Sequence, residues 1–310
     1  MILMAAALWA ALAGALIFIY YVRFVEPRRI ELTHVSVPLE RLPETLEGFT
    51  IAHLSDFHCR PEPARERICR EVVGLANATG ADLVVITGDL VDGYDVMQPC
   101  LEQIADLSAR LGVWAILGNH DHYCLKCGMF QPSQPPEDEQ WKRAFASAGI
   151  ELLLNESRRL EVGGAVVALV GVDDPASGRD DLPSALAGAE GADLVIVLAH
   201  SPDILDDAAV EAADLVLCGH THGGQITLPG IGSPWAPVWR DRRRSAGLMR
   251  AGRQLCYVNR GISSSTPARF LCPPEVAVLT LRRSVPHEVR SVRVQRYTDQ
   301  KTVAVEEVVS

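Results

Sequence analysis

The chain has 310 residues, and its 29 basic and 39 acidic side chains give a formal net charge of −10. Hydrophobic residues make up 48% and charged residues 22%, which excludes disorder, collagen-like repeats and a multi-span membrane protein, while the length allows a substantial core. No long Lys/Arg run interrupts this acidic balance, so a general nucleic-acid binder, which needs a concentrated basic surface, is also excluded.

Met1 to Val22 contain no charged side chain, enough helix to cross the ~30 Å apolar core of a bilayer. Tyr20 and Tyr21 stand where an interfacial aromatic belt belongs, followed by Arg23, Arg28 and Arg29. A cleavable signal peptide would carry a charged start and small residues after a shorter apolar core. Here Phe18-Ile19-Tyr20-Tyr21 continue the core, so the segment reads as an uncleaved single-span anchor, with a buried core helix as the structural alternative. The arginines on its C-terminal side favour a cytoplasmic body at the inner membrane.

Ile30–Val37 alternates in strand fashion, and Pro38 and Pro43 mark a connector. Short Val/Ile/Leu-rich runs then alternate with amphipathic segments. The runs are Phe49–Leu54, Leu83–Thr87, Val113–Leu117, Ala165–Val170, Leu194–Ala199 and Leu215–Cys218. The segments of helical length are Glu62–Ala78, Val96–Arg110 and Glu137–Ala148. Continuous apolar runs are strands covered on both faces, so the pattern predicts an α/β body with a mainly parallel sheet. Gly128–Glu139 reads as an exposed excursion or lid. Strand-like Gln254–Val258 and Val276–Leu281 predict a mixed finish, and after an alternating Val289–Val294 the last residues are expected to fray.

Eight cysteines lie at 59, 69, 100, 124, 127, 218, 256 and 272. Cys69 and Cys218 fall within apolar patterns and read as small buried thiols, although an even count leaves an oxidised form open. A single Cys124-x-x-Cys127 pair is a weak zinc or redox signal.

The chemistry is in what ends each run. Phe49–Leu54 is followed by Ser55-Asp56-Phe57-His58, Leu83–Thr87 by Gly88-Asp89 and then Asp92, and Val113–Leu117 by Gly118-Asn119-His120-Asp121. His200 caps the run at 194–199, and Gly219-His220-Thr221-His222 follows Cys218. Five of the nine histidines fall in these clusters, at the strand ends where open α/β sheets bind ligands. Residues i and i+2 of an extended segment face the same side, so Asp56 with His58, and His220 with His222, can each present a ligand pair. Mixed carboxylate, imidazole and amide-oxygen ligands suit Mn, Fe or Zn better than Ca. Seven candidates exceed one tetrahedral shell and suffice for two ions about 3.5–4 Å apart. Taken singly, each motif has a structural alternative: a turn for Gly-Asp, a helix cap for Asn-His-Asp, a satisfied core imidazole for His200.

Together, over about residues 48–282, these motifs resemble the calcineurin-like metallophosphoesterases. The resemblance implies a four-layer α/β/β/α sandwich of two mixed sheets with a dinuclear site at the strand C-terminal edge, behind one N-terminal transmembrane helix. It assigns Asp56, His58 and His222 to a first ion, Asn119, His200 and His220 to a second, and Asp89 to both. It makes His120 a non-ligand acid near the leaving group and Asp92 the carboxylate that orients it. The implied cofactors are two divalent ions, Mn first, with Fe, Zn or Mg as alternatives. The resulting division is an anchor at 1–23, a linker and first strand at 24–47, the phosphoesterase domain at 48–284, and a C-terminal strand and tail at 285–310.

The longer Gly-His-Thr-His-Gly-Gly-Gln at 219–225, behind an anchor, is similar to a branch of membrane-associated phosphodiesterases that includes diphosphatases of UDP-2,3-diacylglucosamine. The expected substrate is therefore a phosphodiester or diphosphate, lipid-linked, reached from the membrane, with no obligate protein partner. A phosphomonoesterase or protein phosphatase, or a non-enzymatic scaffold on the same fold, are the alternatives. Arg60, Arg260 and Arg269 are candidate phosphate clamps, and Arg240–Arg244 beside Trp235 and Trp239 is a candidate headgroup contact or a solvated loop.

Overall fold

The computed structural model describes residues 2–123, 136–238, 242–266, 268–284, 291–298 and 301–309, with side chains omitted at 242, 243 and throughout 291–309. The Cys124-x-x-Cys127 motif, most of the expected lid, and Trp239, Arg240 and Asp241 lie outside the described residues.

Helix α1 (Ile2–Tyr20) buries none of its residues and continues through a π-helical turn (Tyr21–Val25) and a 3-10 turn (Glu26–Arg28). Together they form one continuous span, Ile2–Arg28, long and apolar enough to cross a membrane. The chain then enters β1 (Glu31–Leu39), β2 (Thr50–Leu54), α2 (Pro63–Ala78), β3 (Leu83–Thr87), α3 (Met97–Ile104) and β4 (Val113–Ile116). After α4 (Asp138–Ser147) come β5 (Ile150–Leu152), β6 (Glu156–Val162), β7 (Ala165–Gly171), α5 (Leu182–Leu186), β8 (Leu194–Leu198) and β9 (Leu215–Cys218). The chain closes with β10 (Gly247–Ala251), β11 (Gln254–Val258), β12 (Glu275–Arg283), β13 (Ser291–Thr298) and β14 (Lys301–Val309).

Two mixed sheets result. One has the order β14-β13-β1-β12-β2-β3-β4-β5, the other β10-β11-β9-β8-β7-β6. Strands β2 to β5 are mutually parallel, as are β7, β8, β9 and β11. Three apolar layers hold the sheets and helices together. In β3, Val84 and Ile86 pack under α2, α3 and α4, whereas Leu83 and Val85 face the other sheet. A third layer, including Val170, Val197 and Val216, lies against α5. Each fully buried Leu or Val contributes roughly 1.5–3 kcal/mol, so the sheet-to-sheet layer is a major part of the stability. This is the four-layer α/β/β/α arrangement.

The helices follow their apolar spacing. In α2, Cys69, Val72, Val73 and Ala76 form the buried stripe, and Pro63 opens the first turn, where its missing N–H costs nothing. Helix α3 ends at Ile104 rather than near Arg110. The Asn77 side chain of α2 donates to the Asp106 carbonyl (2.7 Å) and accepts from the Ser108 N–H (3.0 Å), holding that segment in a non-helical path. Pro38 lies inside β1, not in a connector. Pairing with β13 reaches only Val35, so the absent proline N–H faces no strand. The C-terminal residues, expected to fray, instead form the β13–β14 hairpin that extends the first sheet beyond β1.

Candidate metal centre

Parallel strands from both sheets end at one edge, and the turns after them carry the polar clusters. Asp56 and His58 follow β2, Asp89 follows β3, Asn119 and His120 follow β4, His200 follows β8, and His220 and His222 follow β9. Asn259, just after β11, ties the two sheets together at this edge: its N–H donates to Cys218 O (2.8 Å) and its side-chain amide to His53 O (2.9 Å).

The backbone here is bent to aim side chains inward. Asp56, His58, Asp89, His220 and His222 all have positive φ, between 44° and 67°. Each costs about 1–3 kcal/mol for a non-glycine residue, and such strain clusters at functional sites. Close approach also needs glycine. A Cβ on Gly118 would lie 2.6 Å from Asp89 N and 2.8 Å from the His200 ring.

Three groups of ligand atoms converge: Asp56, His58 and His222; Asp89, His200 and His220; and His58, Asp89 and His120, the atoms of each within 4.8 Å of one another. Asp89 Oδ2 lies 3.6 Å from His58 Nε2 and 3.2 Å from His200 Nε2, so it sits between the groups. Asp56 Oδ1 is 3.7 Å from His222 Nε2, and His220 Nδ1 is 3.2 Å from His200 Nε2. Asp56 Oδ1, His58 Nε2 and Asn119 Oδ1 are buried and have no hydrogen-bond partner among the described residues. Orphaned buried acceptors cost about 1–3 kcal/mol each, and one kind of occupant would satisfy all of them, a cation. The donor set therefore fits divalent metal ions.

The remaining ring nitrogens are fixed from behind. His200 Nδ1 meets Thr87 O (2.7 Å) and His58 Nδ1 meets Asp92 Oδ1 (2.6 Å), leaving both Nε2 atoms to face inward. Burial pushes the Asp89 carboxyl up, but His200, His120 and His58 outweigh it and hold it well below the usual carboxylate range. Burial raises Asp56. Burial, helped by His200, lowers His220 to about 3, and burial with His58 lowers His222 well below its ordinary value. Ionised Asp89 with neutral His220 and His222 matches what metal binding needs, whereas Asp89 raises His200 against its burial, so His200 and Asp56 must each give up a proton to a cation.

His120 lines the cleft, its N–H donating to Asp89 Oδ1 (2.8 Å) and its Nδ1 3.3 Å from Asp92 Oδ1. Asp92 is thus nearer to His58 than to His120. Burial and, against it, hydrogen bonds from His120 and His58 act on this carboxyl, and the hydrogen bonds prevail to keep it ionised. Ser265, which sequence reasoning missed, donates to Asp92 Oδ1 (2.7 Å) and stands 3.4 Å from both His58 Nδ1 and His120 Nδ1. It comes from an irregular segment, and only its place in a Ser263-Ser264-Ser265 run could have drawn notice. Asp121 was read as part of the Asn-His-Asp motif. It accepts from Val91 N (2.9 Å) and Gly118 N (2.8 Å), pinning the turns after β3 and β4 rather than entering the cleft.

The three candidate phosphate clamps each have partners within the protein. Arg60 Nε is 2.5 Å from Asp92 Oδ2. Arg260 is paired with Glu31 and Glu275, each at 3.0 Å. Arg269, 1% exposed, donates to the carbonyls of Arg260, Gly261, Ser263 and Cys272. None of them lines the cleft of about 290 Å³ above the ligands, whose walls include Gln225, Trp235, Pro237 and Ser264–Thr266. The described cysteines are buried and free, Cys59 and Cys69 lying 3.0 Å apart sulfur to sulfur.

A two-sheet sandwich with candidate carboxylate and imidazole ligands converging at its strand ends is the architecture of a metal-dependent phosphate-ester hydrolase. The comparisons agree: a model of the calcineurin-like phosphoesterases matches residues 49–224, and the chain belongs to that family. It is 30% identical over 267 residues to the uncharacterized metallophosphoesterase YkuE of Bacillus subtilis, covering 84% of this chain and 89% of that one. It is 31% identical to phosphodiesterase YaeI of Escherichia coli, covering 84% and 92% respectively. Identity to the UDP-2,3-diacylglucosamine pyrophosphatase LpxG of Chlamydia trachomatis is 24%, covering 88% and 96%.

Proposed function

We propose that the protein is a membrane-anchored phosphodiesterase or diphosphatase that uses two divalent ions, Mn foremost, at the edge where the two sheets meet. In this reading Asp56, His58 and His222 hold one ion, Asn119, His200 and His220 the other, and Asp89 is shared. The observation that carries it is that Asp56, His58 and His222, and likewise Asp89, His200 and His220, bring ligand atoms within 4.8 Å of one another, while Asp56 Oδ1, His58 Nε2 and Asn119 Oδ1 are buried without partners. Bound ions supply Lewis acidity toward the phosphoryl group and activation of water.

The protein's own groups do the rest. Asp56 and Asp89 offset only part of the charge of two divalent ions, so the cleft attracts an anionic ester. Asp92 and Thr87 O fix the His58 and His200 rings. Burial lowers His120, but Asp89 and Asp92 outweigh it and raise its pKa, which favours the imidazole at the cleft as a proton donor to the departing oxygen.

Relatives named as a phosphodiesterase and as a pyrophosphatase acting on UDP-2,3-diacylglucosamine support a diester or diphosphate substrate, and that lipid-linked nucleotide is the specific candidate. Arg23, Arg28 and Arg29 after the apolar span support a cytoplasmic face of the inner membrane. The test is hydrolysis by the metal-loaded full chain of bis-aryl against mono-aryl phosphate, then of a panel including UDP-2,3-diacylglucosamine. Faster cleavage of the bis-aryl ester is expected, and preference for the monoester would replace this reading with a phosphomonoesterase.

A further inference from the structure

Residues 223–239 contain no Asp, Glu, Lys, Arg or His, and the segment is followed at once by Arg240-Asp241-Arg242-Arg243-Arg244. Within it Leu228 and Gly232 close a tight hairpin through a pair of 2.9 Å backbone bonds, and Ile231 N donates to Leu228 O (3.1 Å). Pro229 has no donor to satisfy. The Gly230 N–H and the carbonyls of Pro229, Gly230 and Ile231 have no partner within the hairpin, so the tip suits the hydrated membrane interface rather than the hydrocarbon core. Its side chains are unusually exposed for apolar residues: Ile231 is 74%, Trp235 62% and Ile226 41% accessible.

This loop is joined to the membrane-spanning helix. Thr227 N donates to Phe270 O and Phe270 N to Gln225 O, both at 2.9 Å. The Phe270 ring meets that of Phe18 in α1 edge-on, with centroids 5.0 Å apart. Arg269 N donates to Val22 O (3.0 Å), and the buried Glu26 carboxylate accepts from Cys272 N (2.7 Å). Phe18 precedes Arg23, the first charged side chain in the sequence, by five residues, or about 7.5 Å along the helix. The strip that pairs with the 225–228 segment thus lies level with the last apolar turn of the anchor, and Leu271 beside it is 49% exposed.

We propose that the 226–235 loop is a second membrane contact, its Ile231 tip and Trp235 entering the bilayer interface beside α1. A transmembrane helix fixes the height of whatever is docked against its end, and here that is an apolar, charge-free hairpin. Trp235 of this loop, with Gln225 and Pro237 flanking it in the chain, walls the metal cleft, so the cleft opens at headgroup level. The substrate class that geometry suits is an amphiphile whose phosphoester lies at the interface while its tail stays in the bilayer. For the substrate this rests on the hydrolase reading above; the membrane contact does not.

The test uses the full chain, with Cys124→Ser and Cys127→Ser, reconstituted in vesicles of phosphatidylethanolamine and phosphatidylglycerol. An environment-sensitive fluorophore is placed on Ile231→Cys, or on Glu40→Cys at the far end of β1, roughly 30 Å along that strand from the anchor. The position-231 probe is expected to emit at shorter wavelength, and to be quenched several-fold more by lipids carrying a nitroxide near the headgroup, than the position-40 probe. A second readout, in the native chain, is loss of part of the tryptophan quenching on Trp235→Phe. Probes that respond alike, with Trp235→Phe changing nothing, overturn the contact, as does a position-231 probe shielded from water but blind to the nitroxide, which indicates a protein occupant. Hydrolysis of soluble bis-aryl phosphate by the same preparations reports separately on the metal-centre reading.

Discussion

Asp92 Oδ1 lies 2.6 Å from His58 Nδ1 and 3.3 Å from His120 Nδ1. One carboxylate therefore stands behind both a candidate ligand and the candidate acid, with Ser265 and Arg60 completing its hydrogen bonds. Removing such a partner of a ligating histidine typically costs about 10–100-fold in metal affinity or activity. Asp92→Asn is expected to weaken metal retention and to slow hydrolysis by about that factor, with excess Mn restoring part of the rate. Equilibrium dialysis showing native affinity would limit Asp92 to the service of His120.

His120→Ala should behave differently. It removes a proton donor and leaves the ligands in place, so rates fall by about 10²–10⁴-fold on esters with poor leaving groups and much less on activated aryl esters. Equal losses on both, with metal content unchanged, would remove the acid role.

Steric fit around the turns gives a third expectation. Gly118→Ala puts a methyl group against Asp89 N and the His200 ring and should cost about 1–3 kcal/mol, together with metal occupancy. Gly74→Ala, in α2, meets nothing within 4 Å and should stabilise by about 0.5–1 kcal/mol. Denaturant melts of the two variants, moving in opposite directions, check the pair.

His53, buried in β2 with Nε2 2.9 Å from Thr87 Oγ1, is lowered by burial from 6.5 to about 3, with Glu275 opposing. The native state holds it neutral while the unfolded chain protonates below 6.5, so the unfolded state binds the extra proton between these values. The stability His53 contributes is whole above 6.5 and is lost as pH falls toward 3. Relative to a His53→Gln variant, unfolding free energy should decline by about 1.4 kcal/mol per pH unit across that window. Parallel profiles for the two proteins would contradict this.

Much of the candidate site was legible because its residues follow strands directly, at spacings that the extended backbone converts into shared direction. What the charges do inside the protein was not. Arg260 and Arg269 read as free cations, yet the partners of Arg260, Glu31 and Glu275, come from opposite ends of the body, and Arg269 spends its donors on main-chain carbonyls. Asp92 read as serving His120 alone, because nothing local distinguishes two histidines 62 positions apart that the fold brings to one carboxylate. The fold shows a similar limit. Leu83-Val84-Val85-Ile86 is apolar on both faces whether helices or a second sheet cover it, so the alternation that separates the two cores is invisible in composition.

The central claim is that groups from five strand ends jointly hold a pair of cations. Elemental analysis of the active full chain, purified without oxygen and assayed before and after chelation, tests it most directly. Two divalent ions per chain, with hydrolysis lost on chelation and restored by Mn, is the predicted result. A metal-free chain that hydrolyses at the full rate would contradict it.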